Sequence, residues 1–155
     1  MSECYYADSS ALVKRYISEI VSRKIEQEFD SASGNKVISA KLSVIEVLSA
    51  MNRRQREADT SAAEYTKFFG DFLSFVETEY EMIELSDAVL VEAQRLLKNY
   101  SLRAGDAVQL ASLVLANTQF LSANLSALIS PTSDVRLLSA ASDEGLNTDD
   151  PQNHP

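Results

Sequence analysis

Residues 3–17 read ECYYADSSALVKRYI, a short apolar run closed by Asp8 and followed by apolar residues at helical spacing. The first part, 3–7, is a strand candidate, and SALVKRYI at 10–17 a helix candidate. The same alternation repeats along the chain. An amphipathic helix is expected near 19–31, and Gly34 and Asn35 break it before KVISA, a second strand at 36–40. LSVIEVLSAMNRRQRE at 42–57 reads as a helix. Thr60 caps another at 61–79, where Phe68, Phe69, Phe72, Phe75 and Val76 recur at helical spacing. EMIEL at 81–85 is a third strand, with helices expected at 87–99 and 104–117. QFLSA at 119–123 is expected as a fourth strand, and VRLLSAAS as a last helix ended by Gly145. Strands separated by helices demand right-handed crossovers, hence a three-layer α/β/α domain with a central, mostly parallel sheet.

At 155 residues the chain holds one domain with a full core, expected over 1–146. The polar end NTDDPQNHP at 147–155 is expected to be a disordered tail. An apolar fraction of 45% and a charged fraction of 24% belong to an ordinary globular protein. The lone Cys4 excludes an internal disulfide and fits a reducing compartment. No apolar stretch approaches a membrane span, and Glu3 and Asp8 interrupt any signal-peptide pattern, so a cytoplasmic location without membrane contact is expected. The net charge of −9 argues against a tight nonspecific nucleic-acid binder. It leaves room for a nuclease, since a metal site needs clustered carboxylates, and it suits a basic protein partner.

Ligands of parallel α/β sheets bind beyond the carboxyl ends of the strands. Asp8 follows the first strand there, and Asn124 follows the expected fourth. Glu46 lies in the helix after the second strand, and Asp106 opens a helix just after Arg103. Each has an ordinary explanation. Asp8 can be a helix cap, and Asp106 can complement a helix dipole. Glu46 falls opposite the apolar arc of Val44, Val47, Leu48 and Met51, where a solvated residue paired with Arg53 would sit. No one of them carries the inference alone.

Taken with their neighbours they do more. YYADSSALVKRY at 5–16, SVIEVLSAMNRR at 43–54 and LRAGDAVQLASLVLA at 102–116 resemble, in this order, three motifs of PIN domains, most closely the VapC toxins of bacterial toxin–antitoxin pairs. The resemblance spans about residues 4–146. It implies a metal-dependent endoribonuclease, with Asp8, Glu46 and Asp106 as ligands of Mg²⁺ or Mn²⁺ and Ser9 supporting Asp8. It also implies an RNA substrate, a cognate antitoxin and a homodimer, and the charge balance adds that the antitoxin segment should be basic.

The fourth motif departs from the pattern. Family members carry Ser or Thr, one residue, then Asp after the last core strand. Here FLSANLSALISPTSDVRLL offers Ser122 with Asn124, taken as the catalytic fourth position that orients water or a ligand. Asp134 is the second candidate, as though about ten residues preceded it as an insertion. An amide oxygen can ligate Mg²⁺ but adds no charge, so one ion or two stays open.

The chemistry explains the residue types. Hard oxygen ligands suit Mg²⁺ or Mn²⁺, whereas zinc asks for Cys and His, of which this chain has Cys4 and His154 alone. Such an ion activates water for in-line attack on phosphorus, so no covalent nucleophile is needed. A phosphate-cradling G-x-x-x-x-G-K and a G-x-S-x-G elbow are both missing. A phosphatase with Asp8 as nucleophile would want a second acid where Ser10 stands. Arg53, Arg54 and Arg56 fit either phosphate contact or a solvated helix end, and Lys14 or Arg15 can face substrate or water. Tyr5, Tyr6 and the Phe68–Phe75 stripe read as core, with a dimer or antitoxin surface as the other use of the stripe. A PIN-like binding or regulatory module with weakened catalysis is the competing function.

Overall fold

The computed structural model describes residues 2–16, 26–57 and 60–153. Five strands form one parallel sheet in the order β3-β2-β1-β4-β5: β1 (Cys4–Tyr6), β2 (Lys36–Ala40), β3 (Tyr80–Ile83), β4 (Ile129–Pro131) and β5 (Asn147–Asp149). Cys4, Tyr5 and Tyr6 of β1 align with Lys36, Val37 and Ile38, and Tyr5 aligns with Ile129 on its other side.

Successive strand residues face opposite ways, and that alternation divides the core. Tyr5, Val37 and Tyr80 pack with α1 (Ser9–Tyr16), α2 (Leu42–Arg56) and α3 (Ala62–Thr78). Tyr6 and Ile38 pack on the opposite face with α4 (Asp87–Asn99), α5 (Ala104–Ser122) and α6 (Val135–Asp143). This is the expected three-layer α/β/α fold. The phenylalanine stripe of α3 is core, as expected: Phe68 and Phe72 are buried, with the edge of Tyr16 against both rings. Ser61 caps α3 one residue after the expected Thr60, in a reciprocal pair with Glu64.

The winding reverses at β1. From β1 the chain moves to β2 and β3 on one side, then crosses to β4 and β5 on the other. The carboxyl ends of β1 and β4 therefore border the crevice of a topological switch point, where open α/β sheets hold ligands.

Two expectations change. The proposed strand at 119–123 is the end of α5, which runs on to Ser122. Between Asp106 and Leu128 the sequence offers neither Gly nor Pro to stop a helix, and α5 is buried on most sides, so its apolar residues lose the one-sided period that marks a surface helix. The true fourth strand is Ile129–Pro131. Residues 147–149, assigned to the tail, form β5 and pair with β4 in the register Ile129↔Asn147 to Pro131↔Asp149. Asn147, Thr148 and Asp149 lack apolar alternation because an edge strand exposes one side. Of the helix expected at 19–31, residues 19–25 lie outside the described residues, as does Ile17 of the one expected at 10–17, and 26–29 are helical.

Candidate active site

Asp8 is the residue at which β1 ends and α1 begins. It is 6% exposed, and its Oδ1 accepts hydrogen bonds from the Ala11 amide and the Ser10 hydroxyl, both at 2.8 Å. The capping role and the site role thus share one side chain: Oδ1 closes the helix end, and Oδ2 faces the hydroxyl of Thr132 at 3.4 Å. Burial raises the Asp8 carboxyl above the ordinary aspartate value. The Ala11 and Ser10 hydrogen bonds, the Lys14 charge and Thr132 oppose that shift without cancelling it.

Glu46, in the second turn of α2, is held on both oxygens. Ser9 Oγ donates to Oε2 at 3.1 Å, and Gln109 Nε2 donates to Oε1 at 3.0 Å. The pairing with Arg53 considered from sequence is not what fixes it. Gln109 is itself 3% exposed: its Nε2 also donates to Ser43 Oγ at 2.8 Å, and its Oε1 accepts from the Tyr6 hydroxyl at 2.7 Å. Ser39 continues the chain: its hydroxyl donates to the Ala7 carbonyl at 2.6 Å, and it meets Ser43 Oγ at 2.8 Å, where the Ser43 hydroxyl supplies the proton. Buried polar groups of β1, β2, α2 and α5 are joined here by a satisfied network, which fixes where Glu46 stands.

Asp106 lies in the first turn of α5, and Gly105 brings that turn within 3.7 Å of Glu46 Oε2, measured from where a Cβ would stand. Its carboxyl is raised, first by burial and then by the charges of Asp134 and Glu46, while Arg103 lowers it. Asp134 precedes α6, and its Oδ1 accepts from the Arg136 and Leu137 amides at 3.0 and 3.1 Å, the same capping device that Asp8 uses. Lys14 Nζ donates to Ser133 Oγ at 3.1 Å and ties α1 to this segment.

The structure brings Asp8, Glu46 and Asp106 to the switch point and leaves Asn124 elsewhere. Asn124 follows the C-terminal end of α5, about 25 Å along the helix axis from Asp106. With φ 57° it ends the helix in the left-handed conformation that asparagine tolerates. Ser122 is the last residue of the same helix, so it too is remote from the site. The residue after the fourth strand is Thr132, and Thr132-Ser133-Asp134 reproduces the hydroxyl-x-acid pattern that Ser122-Ala123-Asn124 imitates.

Sequence reasoning named Asp134 second and missed Gln109, Ser43 and Thr132. A signal for Gln109 existed: an uncharged polar residue inside the apolar run AVQLASLVLA, three residues after Asp106.

Hydroxyl groups and four carboxylates make an all-oxygen donor set, and the raised carboxyls of Asp8 and Asp106 are what a cation would relieve. The donors fit a hard divalent ion in kind. Among the described residues, though, no three His, Cys, Asp or Glu side chains are drawn into a closed metal-ligating group.

A doubly wound parallel sheet with acids at its switch point agrees with the sequence comparison. The chain belongs to the PIN domain family, whose model matches residues 5–126 and so covers Asp8, Glu46 and Asp106 but stops before β4. PIN domains are generally nucleases. No curated protein sequence matches the chain. Among solved structures it is similar to a chain of FitAcB from Neisseria gonorrhoeae, with TM-score 0.66 and 9% identity over 97% of this chain and 99% of that one. It is also similar to a chain of VapBC2 from Rickettsia felis, bound to a DNA fragment from the promoter, with TM-score 0.61 and 12% identity over 94% and 97%. A toxin–antitoxin complex from Klebsiella pneumoniae gives TM-score 0.54 and 11% identity over 95% and 97%. At such identities these likenesses show the fold. Among the described residues no helix is long and apolar enough to cross a membrane.

Proposed function

We propose that this chain is a metal-dependent endoribonuclease that hydrolyses RNA phosphodiesters, and that it is the toxin of a type II toxin–antitoxin pair. The observation that carries the reading is that the charges of Asp134 and Glu46 act on Asp106 at the switch point of a PIN fold, with Asp8 at the carboxyl end of the adjoining β1. Similarity to chains of toxin–antitoxin complexes supports an antitoxin partner. Homodimer formation and a cytoplasmic setting belong to the same reading.

Asp8, Glu46, Asp106 and Asp134 would hold Mg²⁺ or Mn²⁺, which when bound supplies electrophilic stabilisation of the phosphoryl group and a more acidic water. The chain's own part is positioning. Ser9 and Gln109 hold Glu46, Ser10 and the Ala11 amide hold Asp8, and Lys14 anchors the segment that carries Asp134. The Ser9 and Ser10 hydroxyls are donors to carboxylates, which suits direct attack by water over a covalent serine intermediate. A PIN-like binding module with weakened catalysis would follow from Asn124 in place of an acid; Asp134 is the acid that favours the enzyme reading.

The test is RNA cleavage by purified protein in Mg²⁺ or Mn²⁺. Chelator should abolish it, and Asp8→Ala, Glu46→Gln and Asp106→Asn should each slow it at least about 100-fold. Full activity in chelator, or in all three variants, would reject the mechanism.

A further inference from the structure

We propose that the groove between residues 100–102 and α6 is a nucleobase subsite, which takes one unstacked base of single-stranded RNA beside the phosphate to be cut. The proposal rests on the nuclease reading above and deepens it. The groove encloses about 330 Å³ and is lined by Tyr100, Leu102, Val135, Arg136 and Ser139 among others. That is the size of a small-molecule site, with the mixture such sites use: apolar walls and a few polar groups.

Its position gives it a purpose. Both walls run directly into the acidic site: Leu102 leads through Arg103 into the helix turn of Asp106, and Val135 follows Asp134. A strand whose phosphate lies at the acids therefore has its neighbouring nucleotide at the groove. Tyr100 offers an aromatic surface there. Its hydroxyl donates to Glu144 Oε1 at 2.8 Å, and Arg95 grips the same carboxylate at 2.6 Å, so the ring is held in place before anything binds. Val135 is 77% exposed, a large apolar surface for a base to cover.

Charge favours RNA over the other macromolecule that could enter, an antitoxin segment. The chain carries −9 overall, yet Arg136 stands at this groove and pairs with no carboxylate among the described residues. A cation beside an apolar slot, next to a phosphodiester site, suits a nucleotide: base in the slot, phosphate toward the arginine. The Ser101 and Ser139 hydroxyls both donate and accept, so they give the slot no strict choice of base.

The experiment measures binding of fluorescent 12-nucleotide single-stranded RNAs by anisotropy, to the full-length Asp106→Asn protein in Mg²⁺ so that cleavage does not intervene. One RNA is intact, and each of the others carries a single abasic site. One abasic position should weaken binding about tenfold, the order expected for a lost base–aromatic stack. Adding Ser139→Trp, which fills the groove, should weaken the intact RNA by a similar factor and make it indistinguishable from that abasic RNA. Arg136→Gln should weaken every RNA. Equal binding of all abasic RNAs, or a groove-filled protein that still discriminates among them, overturns the subsite and leaves the nuclease reading standing. No binding of any RNA overturns both. If Ser139→Trp releases a co-purifying antitoxin while RNA binding is unchanged, the groove belongs to protein recognition and the proposal fails.

Discussion

Replacing Gln109 with leucine should cost this protein both stability and activity, by separable routes. The buried Tyr6 hydroxyl loses its Gln109 acceptor, a loss of about 1–3 kcal/mol for a buried polar group. Half-buried Glu46 loses one of its two anchoring hydrogen bonds, while Ser43 keeps its bond to Ser39. Together these give about 2–4 kcal/mol, or a fall in Tm of roughly 5–15 °C for a domain of this size. Cleavage of RNA in Mn²⁺ should slow about 10- to 100-fold, as when the partner that orients a ligand is removed. Adding Tyr6→Phe separates the two effects. The double variant no longer buries a hydroxyl proton without its acceptor and should recover about 1 kcal/mol of the loss, since the Tyr6 oxygen keeps Ser112 and the Ala40 amide beside it in the single variant. It should recover none of the rate, because Glu46 still lacks its amide. Thermal unfolding by circular dichroism and initial rates on a labelled RNA are the assays. A Gln109→Leu protein with an unchanged rate and an unchanged Mn²⁺ requirement would refute the positioning argument, whatever its stability.

Other outcomes follow from the same contacts. In chelator, Asp8→Asn should raise Tm by a few degrees at neutral pH, because the buried carboxylate is held above its ordinary pKa and its ionised form opposes folding. The sign follows from linkage: the folded state binds this proton more tightly than the unfolded chain does, so acidification through the raised value stabilises the wild type and closes the gap. A gap that widens on acidification would contradict it. Ser61→Ala should cost about 1 kcal/mol through loss of the reciprocal cap with Glu64, read as a lower Tm with unchanged cleavage. Co-expression with the neighbouring gene product should yield a complex whose antitoxin segment is basic, weakened at high salt; light scattering that finds a lone monomer counts against it.

Much of this molecule is legible in its sequence, for identifiable reasons. KVISA is legible because Gly34 and Asn35 break the chain before it. Asp8, Glu46 and Asp106 are legible as candidates because each lies in a motif with a fixed place: after a strand, in the second turn of a helix and in a first turn. The fourth strand was misplaced because α5 is central to its layer, so its period is smeared and its last turn resembles a strand. A strand read at 119–123 puts Asn124 at its carboxyl end, whereas the strand at Ile129–Pro131 has Asp134 near its own. The register of β5 was illegible because NTD has no apolar face to set it. Gln109 is not legible because a single glutamine in a helix says nothing of its burial until Tyr6 and Ser43 close around it.

In the proposed metal site the fourth acid is Asp134, and Asn124 has no part in it. Calorimetric titration of Mn²⁺ into the wild type, Asp134→Asn and Asn124→Asp proteins tests this directly. The wild type should bind, Asp134→Asn should lose at least about tenfold in affinity, and Asn124→Asp should be unchanged. Unaltered binding by Asp134→Asn together with tighter binding by Asn124→Asp would contradict it.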